Sequence, residues 1–188
     1  MYTIARNKLM CLILLCFTLC QSASAQLLTL TPFTLKDESN HVFTEKNLTG
    51  HWSLLFFGFT HCMSICPITL TRLNQLYQKL KADKQILPQI LFITLDPERD
   101  TKNALNNYVH AFNANFKGLT GTPSALHILS RQLGVVALRD EQSNPKNYQI
   151  NHSGVLYLVN PNGQLAAVFS PPQDWLMIEK TYRGIAHE

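Results

Sequence analysis

Apolar and polar positions divide the chain beyond residue 25 into short hydrophobic runs and amphipathic stretches. Trp52 to Phe59 is almost unbroken apolar sequence, as a central strand buried on both faces requires. Gln89 to Leu95 is a second such run. Between them, Pro67 to Ala82 puts Ile68, Leu73, Leu76, Tyr77 and Leu80 on one helical face, with Pro67 suited to a first helical position. Strand, helix, strand in this order predicts parallel strands joined by a right-handed crossover.

The flanks complete the pattern. Phe33-Thr34-Leu35 and His41-Val42-Phe43 surround the turn-rich Lys36 to Asn40, which predicts an N-terminal β-hairpin. Asp100 or Thr101 can cap a helix carrying Leu105, Tyr108, Val109 and Phe112. Thr122-Pro123 opens another helix that Gly134 closes. Val155 to Val159 and Leu165 to Phe169 alternate around Asn160-Pro161-Asn162-Gly163, a hairpin signal. Trp175 to Ile185 predicts a last amphipathic helix. The sum is β-α-β, then helices, then β-β-α. This is an α/β, thioredoxin-like order with a central mixed sheet flanked by helices and an inserted helical segment.

Composition adds little to the fold and more to the compartment. With 188 residues, 46% hydrophobic and 15% charged, the chain suits one globular domain. Residues 1–25 stand apart. Arg6 and Lys8 precede the apolar run Leu9 to Leu19, and Ala23-Ser24-Ala25 has the small residues of a cleavage site. They predict an export signal, with a mature domain over 26–188. The run is short of the roughly 20 residues of a membrane span. A retained signal would associate the protein with the membrane. The mature chain would carry 14 Lys+Arg against 12 Asp+Glu, without a basic cluster, so nucleic-acid binding is not expected. The signal resembles that of a bacterial periplasmic protein more than an Arg- and Ser-rich transit peptide.

The same cleavage removes Cys11, Cys16 and Cys20, leaving Cys62 and Cys66 in an oxidising compartment. A disulfide between them would close too small a loop to stabilise the fold much, so their role is chemical. They sit where the first central strand feeds its helix. Free N–H groups and the dipole of a helix start favour a thiolate there. His61 beside the pair is a candidate for lowering the thiol pKa further. On a helical turn, positions i and i+4 share a face about 6 Å apart. That separation permits a disulfide and equally lets two sulfurs converge on one metal. The spacing alone leaves redox and metal chemistry both open.

Four blocks narrow the choice. Phe57-Gly58-Phe59-Thr60-His61-Cys62-x-x-x-Cys66-Pro67 resembles the signature of the Sco/SenC family of copper-binding, thioredoxin-like proteins. Leu95 to Thr101, Gly118 to Thr122 and Asn151-His152-Ser153 resemble three further blocks in the same order. The resemblance implies copper ligation by Cys62, Cys66 and His152. It also implies a role for Asp96 near the metal without ligating it. Such a set suits Cu(I), which is soft and accepts three ligands in a plane; Cu(II) would take water or another donor in addition. Zn(II) would want a fourth ligand. Two departures stand out: Met63-Ser64 where the family often has a pair such as Pro-Asp, and Asn151 where it usually has Asp. The other histidines, His41, His51, His110, His127 and His187, fit no ligand spacing.

The resemblance implies a copper metallochaperone. It would deliver copper to, or assemble, the dinuclear copper site of cytochrome c oxidase, with a thiol reductant keeping the cysteines reduced. The alternative is a periplasmic thiol-disulfide oxidoreductase acting on the cysteines of a copper-receiving partner. A peroxiredoxin-type peroxidase ranks last, because Pro-x-x-x-Thr-x-x-Cys does not occur at Cys62.

Overall fold

The computed structural model describes residues 27–140 and 148–186. The expected signal segment and His187 lie outside the described residues. The hairpin strands β1 (Thr34–Asp37) and β2 (Val42–Thr44) come first, followed by a 3-10 turn, Glu45–Leu48. Strand β3 (Ser53–Gly58), helix α1 (Ile65–Ala82) and strand β4 (Gln89–Thr94) form the central unit. Next are α2 (Lys102–His110), β5 (Lys117–Thr120), α3 (Pro123–Gln132), β6 (Ala137–Arg139) and β7 (Ile150–His152). The hairpin β8 (Leu156–Val159) and β9 (Leu165–Phe169) precedes α4 (Trp175–Ile185).

Seven strands form one mixed sheet in the order β2-β1-β5-β4-β3-β8-β9. β3 and β4 are parallel, with Leu55 opposite Leu91 and Phe56 opposite Phe92. β5 pairs parallel with β4, and β8 antiparallel with β3. All six residues of β3 are buried. Alternation sends Leu54 and Phe56 to one face and Leu55 and Phe57 to the other. Leu70 and Leu73 of α1, Leu105 and Val109 of α2, and Ile178 and Tyr182 of α4 cover the first face. Leu126 and Leu129 of α3, with Leu35, Phe43 and Leu48, cover the second. The central residues of both strands, Leu54 to Phe57 and Ile90 to Ile93, are therefore all apolar.

The N-terminal hairpin, the four helices and the last hairpin occur as predicted, and Thr101 caps α2 by accepting the Ala104 N–H. Three points differ. First, α1 begins at Ile65, so Pro67 is its third residue. The N–H groups of a first turn have no acceptor within the helix, so proline is accommodated there. Second, Leu73, Leu76, Tyr77 and Leu80 are buried as predicted, but Cys66, Thr69 and Leu70 continue that face in the first turns and Ile68 is 60% exposed. Third, β5, β6 and β7 were not expected as strands. β6 and β7 stand apart from the large sheet as a two-stranded antiparallel ribbon, with Ala137 opposite His152 and Arg139 opposite Ile150.

Candidate metal centre

The sulfur pair lies in the turn from β3 into α1. Cys62 is not on a helical turn as the spacing suggested. It precedes the helix and donates its N–H to the Phe59 carbonyl at 3.1 Å, whereas Cys66 is the second helical residue. Both are buried free cysteines. Gly58 makes room for them: a Cβ there would stand 2.7 Å from Cys66 Sγ and 2.8 Å from Phe92.

His152, at the end of β7, closes the site. Its Nε2 lies 3.5 Å from Cys66 Sγ, and the ring leans on Phe56 and Phe59. On its other side, Nδ1 accepts the Gly154 N–H at 3.3 Å. Gly154 has a φ of +62°, a left-handed turn that brings its N–H back to the ring. The ligand atoms of Cys62, Cys66 and His152 all lie within 4.8 Å of one another. Among the described residues this is the one group of three or more His, Cys, Asp or Glu so arranged.

Electrostatics divide the two thiols. A hydrogen bond from Cys66 holds Cys62 well below the ordinary thiol range, against the cost of burial, and His152 reinforces this. The same bond, together with burial, pushes Cys66 up. The two thiols are therefore unequal, with Cys62 the more acidic of the pair. His61 has no part in this shift. It is half-exposed, with Nδ1 3.1 Å from Thr60 Oγ1 and 3.8 Å from Asp100, and it lies outside the three-residue group.

Asp96 is buried but is not a ligand. One carboxylate oxygen accepts from the Tyr148 hydroxyl and the other from Arg99 Nε. Asp100, read from sequence only as a cap, is the second buried carboxylate. It accepts from Thr60 Oγ1 and Thr94 Oγ1, both at 2.6 Å, and from the Thr60 N–H. Burial raises its pKa and these bonds lower it, with burial the larger effect. Asp100 thus ties the loop leading to Cys62 to the end of β4. Its signal in the sequence was its place in the Leu95 to Thr101 block; Tyr148 had none beyond lying four residues before His152. Met63 is 87% exposed. Asn151 is exposed. His41 pairs with Asp37, His110 lies 3.8 Å from Glu38, and His127 lines a separate cavity with Leu95, Pro123 and Leu126.

The donor set fits copper. Thiolate and imidazole bonds to a first-row ion of about 2.0–2.3 Å put three donors in a plane about 3.7 Å apart. Cys66 Sγ and His152 Nε2 already stand 3.5 Å apart, and no ligand pair is wider than 4.8 Å, so the widest must close by at most about 1 Å. Two soft sulfurs and one imidazole, without a carboxylate in the group, match Cu(I) better than a hard cation.

A thioredoxin-like sheet carrying two thiols at a strand-to-helix turn and an imidazole from a separate ribbon defines the class: a thiol protein equipped to hold a soft metal. Residues 12–186 match the SCO1/SenC family pattern. The chain belongs to the SCO1/SenC family. It is 41% identical over 154 residues to the mitochondrial Protein SCO2 homolog of Danio rerio, a match covering 81% of this chain and 55% of that protein. The chain thus spans about half the length of that relative. Yeast Sco1 with copper bound superposes with a TM-score of 0.79 at 32% identity, covering 87% of this chain and 90% of that one. Arabidopsis thaliana ScoI with copper bound gives 0.76 at 33% identity, covering 84% and 99%.

Proposed function

We propose that the protein is a copper metallochaperone that holds Cu(I) through Cys62, Cys66 and His152. It passes the ion to a copper acceptor, the dinuclear copper site of cytochrome c oxidase being the acceptor the family points to. The convergence of those three ligand atoms within 4.8 Å carries the reading. Copper when bound would be the cargo; the chain's residues decide how it is held and released. Cys62, the more acidic thiol, ionises first, and Cys66 and His152 Nε2 must each give up a proton or a hydrogen bond to bind. A three-donor site leaves a place for an acceptor's ligand to enter before a donor leaves. Exposed Met63 and Ile68 border the pair and supply apolar surface for that encounter. The cysteines work only reduced, so a thiol reductant belongs to the cycle. Residues 1–25 act as an export signal, placing the domain in a bacterial periplasm; N-terminal sequencing of the exported protein should begin at Gln26.

One observation favours a second activity. The two thiols are adjacent, buried and unequal, Cys62 the more acidic, which suits attack and resolution in thiol-disulfide exchange. Anaerobic Cu(I) titration of the reduced protein separates the two. The metallochaperone reading requires one copper per chain and at least roughly tenfold weaker binding in His152→Ala. Wild-type affinity in His152→Ala, together with fast disulfide exchange, would favour the oxidoreductase. Unchanged binding after loss of both cysteines would place the site elsewhere.

A further inference from the structure

His152 reaches the sulfur pair from the β6–β7 ribbon, and two short strands paired only with each other are marginal in water. Something must anchor the ribbon to the body of the protein. Tyr148, two residues before β7, is buried and points its hydroxyl at Asp96, to which it donates. The guanidinium carbons of Arg99 and Arg139 each lie 3.5 Å from the centre of its ring. Two guanidinium groups at that distance cannot share one face, so the ring is clamped between them. Arg99 in turn binds Asp96 through Nε and rests 5.8 Å from the Phe59 ring centre. Phe59 meets the His152 ring edge-on, with centres 6.1 Å apart. Arg139 belongs to β6, opposite Ile150. The anchor therefore grips both strands of the ribbon and ends against the ligand.

We propose that Tyr148 is a positioning residue for the third ligand. Its hydrogen bond to Asp96 fastens the β6–β7 ribbon to the β4–α2 loop and so holds His152 Nε2 at the sulfurs. Asp96 serves copper through Tyr148, since both its oxygens are already engaged. The inference rests on His152 being a ligand, as proposed above.

Two measurements on the full-length, reduced protein test it. In the metal-free state, NMR of the His152 ring protons reports ring-current shifts from Phe56 and Phe59. Tyr148→Phe keeps the clamped ring but loses the hydroxyl, and should move these shifts towards those of a solvated histidine. Cu(I) competition with a colorimetric chelator then compares wild type, Tyr148→Phe, His152→Ala and the double variant. Tyr148→Phe should weaken binding about 10- to 100-fold in the wild-type background and not further in His152→Ala. Unchanged affinity in Tyr148→Phe, or an equal loss in both backgrounds, would overturn the proposal. If His152→Ala binds Cu(I) as wild type does, the ligand assignment fails instead, and the NMR shifts still decide whether Tyr148 positions the ring. Asp96→Asn removes the same bond from the other side and must reproduce the pattern should Tyr148→Phe fold poorly.

Discussion

Gly58 and Thr94 show how little freedom surrounds the thiols. A methyl at Gly58 meets Cys66 Sγ at 2.7 Å and Phe92 at 2.8 Å, distances that something must relieve. Phe92 and Cys66 are both fully buried in the same core, so ring and sulfur must share the displacement. Gly58→Ala should cost about 1–3 kcal/mol by overpacking. It should also weaken Cu(I) binding, measured by denaturant unfolding and chelator competition. Thr94 acts through charge. It donates to buried Asp100 at 2.6 Å, and that bond opposes the rise in pKa that burial causes. Thr94→Val should therefore raise the Asp100 pKa further and cost about 1–3 kcal/mol at neutral pH. The sign follows from linkage. The variant binds a proton more readily when folded, so its deficit is full where Asp100 is ionised and shrinks as pH falls through the raised folded pKa. Carboxyl-carbon NMR titration and unfolding at several pH values check both halves.

At the scale of elements, what was legible in the sequence depended on how local its cause was. β3, β4 and the hairpins announced themselves because burial on both faces, or alternation around a turn, is written in consecutive residues. β5 did not, for Lys117-Gly118-Leu119-Thr120 is too short and too mixed to show a period; pairing with both β1 and β4 makes it a strand. β6 has three exposed residues and exists through its pairing with β7. The site was half legible. Cys62 and Cys66 followed from their place before an amphipathic helix, but His152 needed the family pattern. Its partner strand and its anchor, Tyr148, are long-range features. The start of α1 was misplaced because proline at a first helical position is the commoner arrangement. With Pro67 as third residue, its ring is not what starts the helix. Pro67→Ala should thus keep the helical circular dichroism signal and cost only about 0.4–1 kcal/mol, through added freedom of the unfolded chain. A larger helical loss would mean that Pro67 sets the boundary.

For the whole molecule, the proposed metal centre joins segments that the fold itself connects weakly. Cys62 and Cys66 belong to the face of the sheet covered by α1, α2 and α4. His152 belongs to a ribbon outside that sheet. Binding an ion across the two should therefore couple the ribbon to the body, because a ligand that binds only the folded state stabilises it by mass action. At a free Cu(I) concentration 1,000 times the Kd, the gain is about 4 kcal/mol. For a domain of this size that corresponds to a rise in Tm of about 8–16 °C. Anaerobic thermal unfolding with buffered Cu(I) should show this rise in the wild type and a smaller one in His152→Ala. Cys62→Ser with Cys66→Ser should show none. The order matters more than the size: an equal rise in wild type and His152→Ala would mean that copper is held by the loop alone and that the ribbon is a bystander. Hydrogen exchange separates the same cases by location. Copper should slow exchange of the Ile150 and His152 amides of the ribbon as well as those at the start of α1. Protection confined to α1 would contradict a site that spans both.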